Sequence, residues 1–144
     1  MPVDPIPQGY HTVTPYLFLK DARAFIDFAG RAFGARELVS MEDEAGAVRH
    51  AEIEIGDSRV MLSQATDEYR PLPLAIHLYV NDCDATYAAA IEAGAESTME
   101  PADQFYGDRM AGVRDAEGQI WWIATHVEDV PPEEMERRAK AANG

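Results

Sequence analysis

The side chains able to do chemistry in this sequence are four histidines, one cysteine and a scatter of aromatics. His77 sits inside the apolar alternating run LAIHLYV, residues 74–80. There it can be a metal ligand, a catalytic acid or base, or a hydrogen-bonded strand histidine, and its type alone leaves these open. His50 and Glu52, in VRHAEIEIG, are two apart and share a strand face, the spacing an acid/base pair needs. Alternation with Ala51, Ile53 and Ile55 is equally satisfied by an exposed or interfacial polar face. His126 ends a strand-like run before an acidic tail and suits a cap or a subunit contact, and His11 reads as a surface residue. Cys83 lies near a helix start, where a thiol can be acidified, but no basic residue adjoins it, so it is expected to be inert. In DQFYGDRM, Phe105, Tyr106 and Arg109 form a candidate rim for a binding site, and Gly107 supplies a turn.

Composition narrows the classes. The chain has 144 residues, 47% of them hydrophobic, enough for one domain with a core and too few for two ordinary ones. Twelve basic against 26 acidic residues give a formal charge of −14, which repels nucleic acid and anionic membranes. The same charge is a secondary attraction for cationic ligands. One cysteine excludes an internal disulfide framework and a Cys-rich zinc site. No window is long and apolar enough to span a membrane, and the proline-bearing start MPVDPIPQGYH lacks a signal-peptide core, so a cytoplasmic location is expected.

The elements that must position these residues occur twice. Asp21 and Asp82 each follow a strand-like run and precede a helix-like one, residues 14–20 then 22–34, and 75–80 then a helix stopped at Gly94. In the first helix Ala22, Phe25, Ile26, Phe28, Ala29, Ala32 and Phe33 make one apolar face. The second helix is expected to be one residue shorter. Three more strands follow each helix, over 36–41, 48–55 and 58–64, then 96–101, 109–114 and 119–126. The turn signals DEAG, GD, YGD and DAEG separate them. Each half therefore reads β-α-β-β-β, module one over about 8–66 and module two over about 72–127. PPEEMERRAKAANG, with acid early and base late, predicts a short peripheral helix within the tail 128–144.

A doubled β-α-β-β-β unit of this length, with helices ending in FGA or AGA and a closing RDAEGQIWWI, resembles the vicinal oxygen chelate superfamily of glyoxalases, bleomycin-resistance proteins and extradiol dioxygenases. GYHTVTPYL, RHAEIEIGDSRVML, IHLYVNDCDA and WWIATHVEDVPPEEM are similar to its PhnB-like branch. The resemblance covers about residues 8–130. It implies a single α+β domain whose modules build a cupped mixed sheet around a cavity, and a homodimer. Metal-dependent members take ligands from the first and a later strand of each module. By position these fall on Thr14, Ala75, Trp122 and either Met61 or Ser63, none the expected histidine or glutamate. The usual divalent metal is thus not expected, and no other cofactor is implied.

Strand alternation then assigns faces. Thr14, Tyr16 and Phe18, with Ala75, His77 and Tyr79, should face the cavity, as should Ile120, Trp122, Ala124 and His126. Ile76, Leu78, Val80, Trp121, Ile123 and Thr125 should face the core. Tyr16, His77 and Trp122 are therefore expected in one aromatic pocket. That lining suits a small organic ligand, a metabolite or an antibiotic-like compound, held by stacking and oriented by a few polar groups. Thr14, Tyr16, Phe18, Tyr79, Trp122, Phe105, Tyr106 and Arg109 are the candidate ligand contacts and His77 the candidate catalytic residue. The alternative is a lyase, isomerase or dioxygenase-type enzyme, with a displaced metal shell or by metal-free acid/base chemistry.

Overall fold

A computed structural model describes residues 3–143. The chain divides at Pro73/Leu74 into two compact units, each a β-α-β-β-β module. Module one runs β1 (Tyr16–Leu19), α1 (Ala22–Phe33), β2 (Arg36–Glu42), β3 (Val48–Ile55) and β4 (Ser58–Gln64). Its sheet has the order β1-β4-β3-β2, with β1 parallel to β4 and the other pairs antiparallel. Module two runs β5 (Ala75–Tyr79), α2 (Cys83–Glu92), β6 (Glu96–Asp103), β7 (Asp108–Arg114) and β8 (Ile120–His126), in the order β5-β8-β7-β6 with β5 and β8 parallel. α3 (Pro132–Asn143) follows. Two four-stranded mixed sheets with three helices make this an α+β fold.

α1 and α2 each start where an aspartate can cap them. Asp21 accepts from the Ala24 N–H at 3.1 Å and Asp82 from the Ala85 N–H at 3.0 Å. Gly34, at φ +70°, ends α1 in the left-handed conformation that only glycine adopts without strain. The ending of α2 departs from expectation. It has 10 residues against the 12 of α1, because Ala93 caps it in a right-handed conformation one residue before Gly94, at φ +111°. β1 begins two residues later than expected, since Pro15 has no N–H for a ladder and instead accepts from the Met61 N–H at 2.9 Å.

Alternation sorts the faces of each sheet. In module one Leu17, Leu19, Ala51, Ile53, Val60 and Leu62 are buried, as are Phe25, Phe28, Ala29 and Ala32 of α1, which packs on β1, β3 and β4. Each buried leucine contributes about 2 kcal/mol. In module two Trp121, Ile123, Ala111 and Val113 are buried, with Cys83 and Ala90 of α2. The opposite faces keep Tyr16, Phe18, His77, Tyr79 and Trp122. α3 has no buried residue and is tied down by Arg138, which donates to Glu128 at 2.8 and 3.0 Å and to the Phe105 carbonyl at 3.2 Å.

Candidate functional site

The open face of module one bears a cavity of about 720 Å³, lined in part by Tyr16, Phe18, Ser63, Gln64 and Tyr69. Tyr16 and Phe18 project together because they are two apart on β1, their ring centroids 5.3 Å apart. Tyr69 stacks on Phe18 at 5.2 Å and 14°. The linker after β4 delivers it by a self-bonded turn, in which the Tyr69 N–H donates to Thr66 Oγ1 at 2.9 Å and the Thr66 N–H to the Tyr69 carbonyl at 2.8 Å. Nothing in the periodicity around TDEYRP marks Tyr69 as a wall residue. Thr14 precedes β1, half-buried, with its hydroxyl on the His11 carbonyl at 3.4 Å, and is not among the lining residues.

Behind Tyr16 runs a polar chain. Tyr16 Oη lies 3.0 Å from His50 Nδ1, and His50 Nε2 lies 2.7 Å from Glu52 Oε2. His50 and Glu52 are mostly buried side chains, at 22% and 17% exposure. A carboxylate only accepts, so Nε2 carries the hydrogen. In the neutral ring Nδ1 then accepts from the Tyr16 hydroxyl.

On the open face of module two, His77 pairs in register with Trp122, and its ring lies 4.8 Å from that of Tyr79. Gly112 sits opposite Trp122 on β7, and a Cβ there would fall 2.8 Å from the indole Cζ3 and 2.5 Å from Thr98 Oγ1. The missing side chain gives the indole its room. Tyr79 donates to buried Asp108 at 3.0 Å, Asp108 binds His126 Nδ1 at 2.8 Å, and His126 Nε2 binds Asp129 at 2.7 Å. Both His126 partners are acceptors, so making both bonds requires the imidazolium. Asp129 first, then Asp108, holds its pKa above the ordinary histidine value. The hydrogen bond to Asp108 likewise raises the Tyr79 phenol. The open faces thus carry an anchored histidine, His50, a bridging one, His126, and, in His77, one that packs against a tyrosine ring.

The remaining candidates divide. Phe105 and Tyr106 meet edge to face at 5.2 Å, and Tyr106 donates to Met110 Sδ at 3.5 Å. Gly107, at φ +97°, lets its carbonyl take the N–H groups of Val127 and Glu128. Arg109 instead pairs in register with Thr125 and donates to Asp84 at the start of α2 at 2.9 Å and to Asp103 at 3.2 Å. It therefore lies on the helix-covered side, away from Tyr79 and Trp122. Cys83 is buried with its thiol on the Ile123 carbonyl at 3.2 Å, and burial raises its pKa rather than lowering it.

A family metal does not fit the positions that would hold it. Thr14 is turned to His11, Met61 and Ser63 bring no carboxylate, Ala75 has no donor and the Trp122 indole only donates. Among the described residues no group of three or more His, Cys, Asp or Glu is placed to hold a metal ion.

The doubled fold with these open faces defines a class. Residues 10–123 match the Glyoxalase/Bleomycin resistance protein/Dioxygenase superfamily, and the chain belongs to it. It is 33% identical over 135 residues, 86% of this chain and 89% of the other, to the uncharacterized protein Mb0911c of Mycobacterium bovis. Among solved structures it shares its fold with TioX from Micromonospora sp. ML1 (TM-score 0.68, 24% identity, 84% of this chain and 100% of that one). It does so too with TnmS3, an antibiotic binding protein from Streptomyces sp. CB03234 (TM-score 0.65, 20% identity, 81% and 95%).

Proposed function

We propose that this chain binds a small organic molecule in the aromatic cavity of module one, as a cytoplasmic, homodimeric protein of the PhnB-like branch working without the family's divalent metal. The carrying observation is the cavity walled by Tyr16, Phe18 and Tyr69. Its size is that of a drug-like ligand, and its three aromatic rings stand among polar and charged side chains, Asp43, Arg49, Ser63, Gln64, Thr66 and Glu68. An antibiotic-like compound is the ligand class favoured by the likeness to TnmS3. The His77–Tyr79–Trp122 face of module two offers a second stacking surface of the same chemistry. The PhnB-like assignment rests on the segments GYHTVTPYL and IHLYVNDCDA.

Equilibrium dialysis against a panel of polycyclic aromatic antibiotics tests this reading. At least one compound should bind at micromolar concentration. Phe18→Ala should weaken it by about 2 kcal/mol, from lost burial and stacking, a ~30-fold rise in Kd. A panel without binders, or affinities indifferent to Phe18→Ala, refutes it. Light scattering at micromolar protein should report a dimer. The catalytic alternative is favoured by one observation, the hydrogen-bonded series Tyr16–His50–Glu52.

A further inference from the structure

We propose that module one is a metal-free proton-transfer site, in which Tyr16 contacts a bound carbon acid, His50 takes the proton and Glu52 fixes the His50 tautomer. The inference rests on the cavity reading, because Tyr16 is both a wall of that cavity and the outer end of the series. Glu52 accepts from Nε2–H at 2.7 Å and leaves the Nδ1 lone pair directed at the Tyr16 hydroxyl, 3.0 Å away. This is the arrangement of an oriented base acting through a hydroxyl. His50 is screened at 22% exposure while Tyr16 is 37% exposed, so a ligand meets the phenol first.

The substrate class is a small carbonyl compound with an acidic C–H and an aromatic or conjugated body for Phe18 and Tyr69 to stack on. A proton leaves the carbon for Tyr16 Oη as the Tyr16 proton passes to His50 Nδ1. The C–H electron pair delocalises onto the carbonyl oxygen, giving an enolate. His50 becomes an imidazolium whose Nε2–H stays on Glu52. The Ser63 hydroxyl, on a nearly buried residue of the same cavity, is a donor for the developing oxyanion. Where a carbon–carbon double bond is conjugated with the enolate, return of the proton to its far carbon completes an isomerisation with no oxidant, reductant or metal. Tyr16 is the catalytic contact and Glu52 a positioning residue.

The probe is 5-nitrobenzisoxazole, a planar carbon acid. Loss of its C3 proton breaks the ring N–O bond, and that electron pair leaves as a coloured cyanonitrophenolate. The non-eliminating isostere 5-nitroindazole reports binding separately by dialysis. The full-length protein should give saturable turnover. Tyr16→Phe and His50→Gln should each lower kcat by ~100-fold while the Kd for 5-nitroindazole changes less than about threefold. Glu52→Gln should lower kcat with KM held, and should change the His50 ring ¹⁵N shifts as the tautomer is released, which a merely structural role would not do. His11→Ala should leave turnover unchanged. Binding of 5-nitroindazole without turnover, or turnover indifferent to Tyr16→Phe and His50→Gln, overturns the relay and leaves the cavity reading standing. Failure to bind 5-nitroindazole overturns the relay, while the cavity reading then stands or falls on the antibiotic panel.

Discussion

Replacing Asp115 by alanine should remove much of the stability of module two, although Asp115 touches no candidate ligand residue. Its residue is 7% exposed at the head of the turn between β7 and β8. Oδ1 accepts from the N–H groups of Glu117 and Gln119, each at 2.9 Å, and Oδ2 from Trp121 Nε1 at 2.8 Å. Trp121 is fully buried, so its indole N–H loses an acceptor where water does not reach. That loss costs about 2 kcal/mol, and each turn amide about 1 kcal/mol, for a total of about 4 kcal/mol. Domains of this size hold roughly 5–15 kcal/mol. Asp115→Asn keeps an acceptor for the two amides, sets an N–H against the indole N–H and brings no charge to desolvate. Its cost should be about 1–2 kcal/mol.

Urea unfolding followed by tryptophan fluorescence measures both variants, with unchanged m-values confirming a stability effect. The charge adds a second signature. Burial is the largest influence on the Asp115 carboxyl and raises its pKa above the ordinary 3.8, the Trp121 bond opposing. A raised folded value means the native state holds the proton more tightly than the unfolded chain. The associated stability is full below 3.8 and is lost as pH rises through the folded value. Wild type should therefore lose stability relative to Asp115→Asn as the pH is raised from acid to neutral. An Asp115→Ala variant within 1 kcal/mol of wild type would refute the reasoning.

Three further outcomes are expected. His126, raised by Asp129 and Asp108, should contribute stability that is full below its unfolded value of 6.5 and fades as pH rises through the folded value; the urea midpoint of wild type should converge on that of His126→Gln at alkaline pH. Gly112→Val should displace the Trp122 indole and cost about 1–3 kcal/mol by overpacking, read as a shifted fluorescence maximum with a lowered urea midpoint. Titration with zinc, nickel, manganese or ferrous iron, read by calorimetry, should show no tight stoichiometric site; one firmly held ion per chain would contradict the donor analysis.

Local rules made the scaffold legible. Asp21 and Asp82 declare helix starts because a cap needs only its own side chain and an amide three residues on. Period-two alternation separates Leu17 from Phe18 and Trp121 from Trp122, since a strand cannot turn neighbours to one face. Arg109 obeys that rule too, and its place on the helix side follows from its register with Thr125, which a loop reading of DQFYGDRM hides. What escaped the sequence is long-range or aperiodic. Tyr16 and His50 are 34 residues apart, and Tyr69 reaches Phe18 from a linker with no pattern.

Equivalent polar clamps show how two such modules keep one fold with different open faces. In module one Gln64, last residue of β4, accepts from the Ala22 N–H at 3.0 Å and donates to the Lys20 carbonyl. In module two Thr125, near the end of β8, accepts from the Cys83 N–H and donates to the Val80 carbonyl, both at 2.8 Å. Each ties the strand–helix junction to the final strand of its module, satisfying backbone groups that a helix start leaves unpaired. These clamps, with the aspartate caps and the buried strand face, bear the architecture. The open faces are then free of that duty. Tyr16 and His77 stand the same five residues before their capping aspartates, yet one leads into a histidine–glutamate pair and the other into an aromatic stack. Chemistry can therefore differ between the modules without a cost to either fold, and the histidine–glutamate pair behind Tyr16 confines the proposed relay to module one.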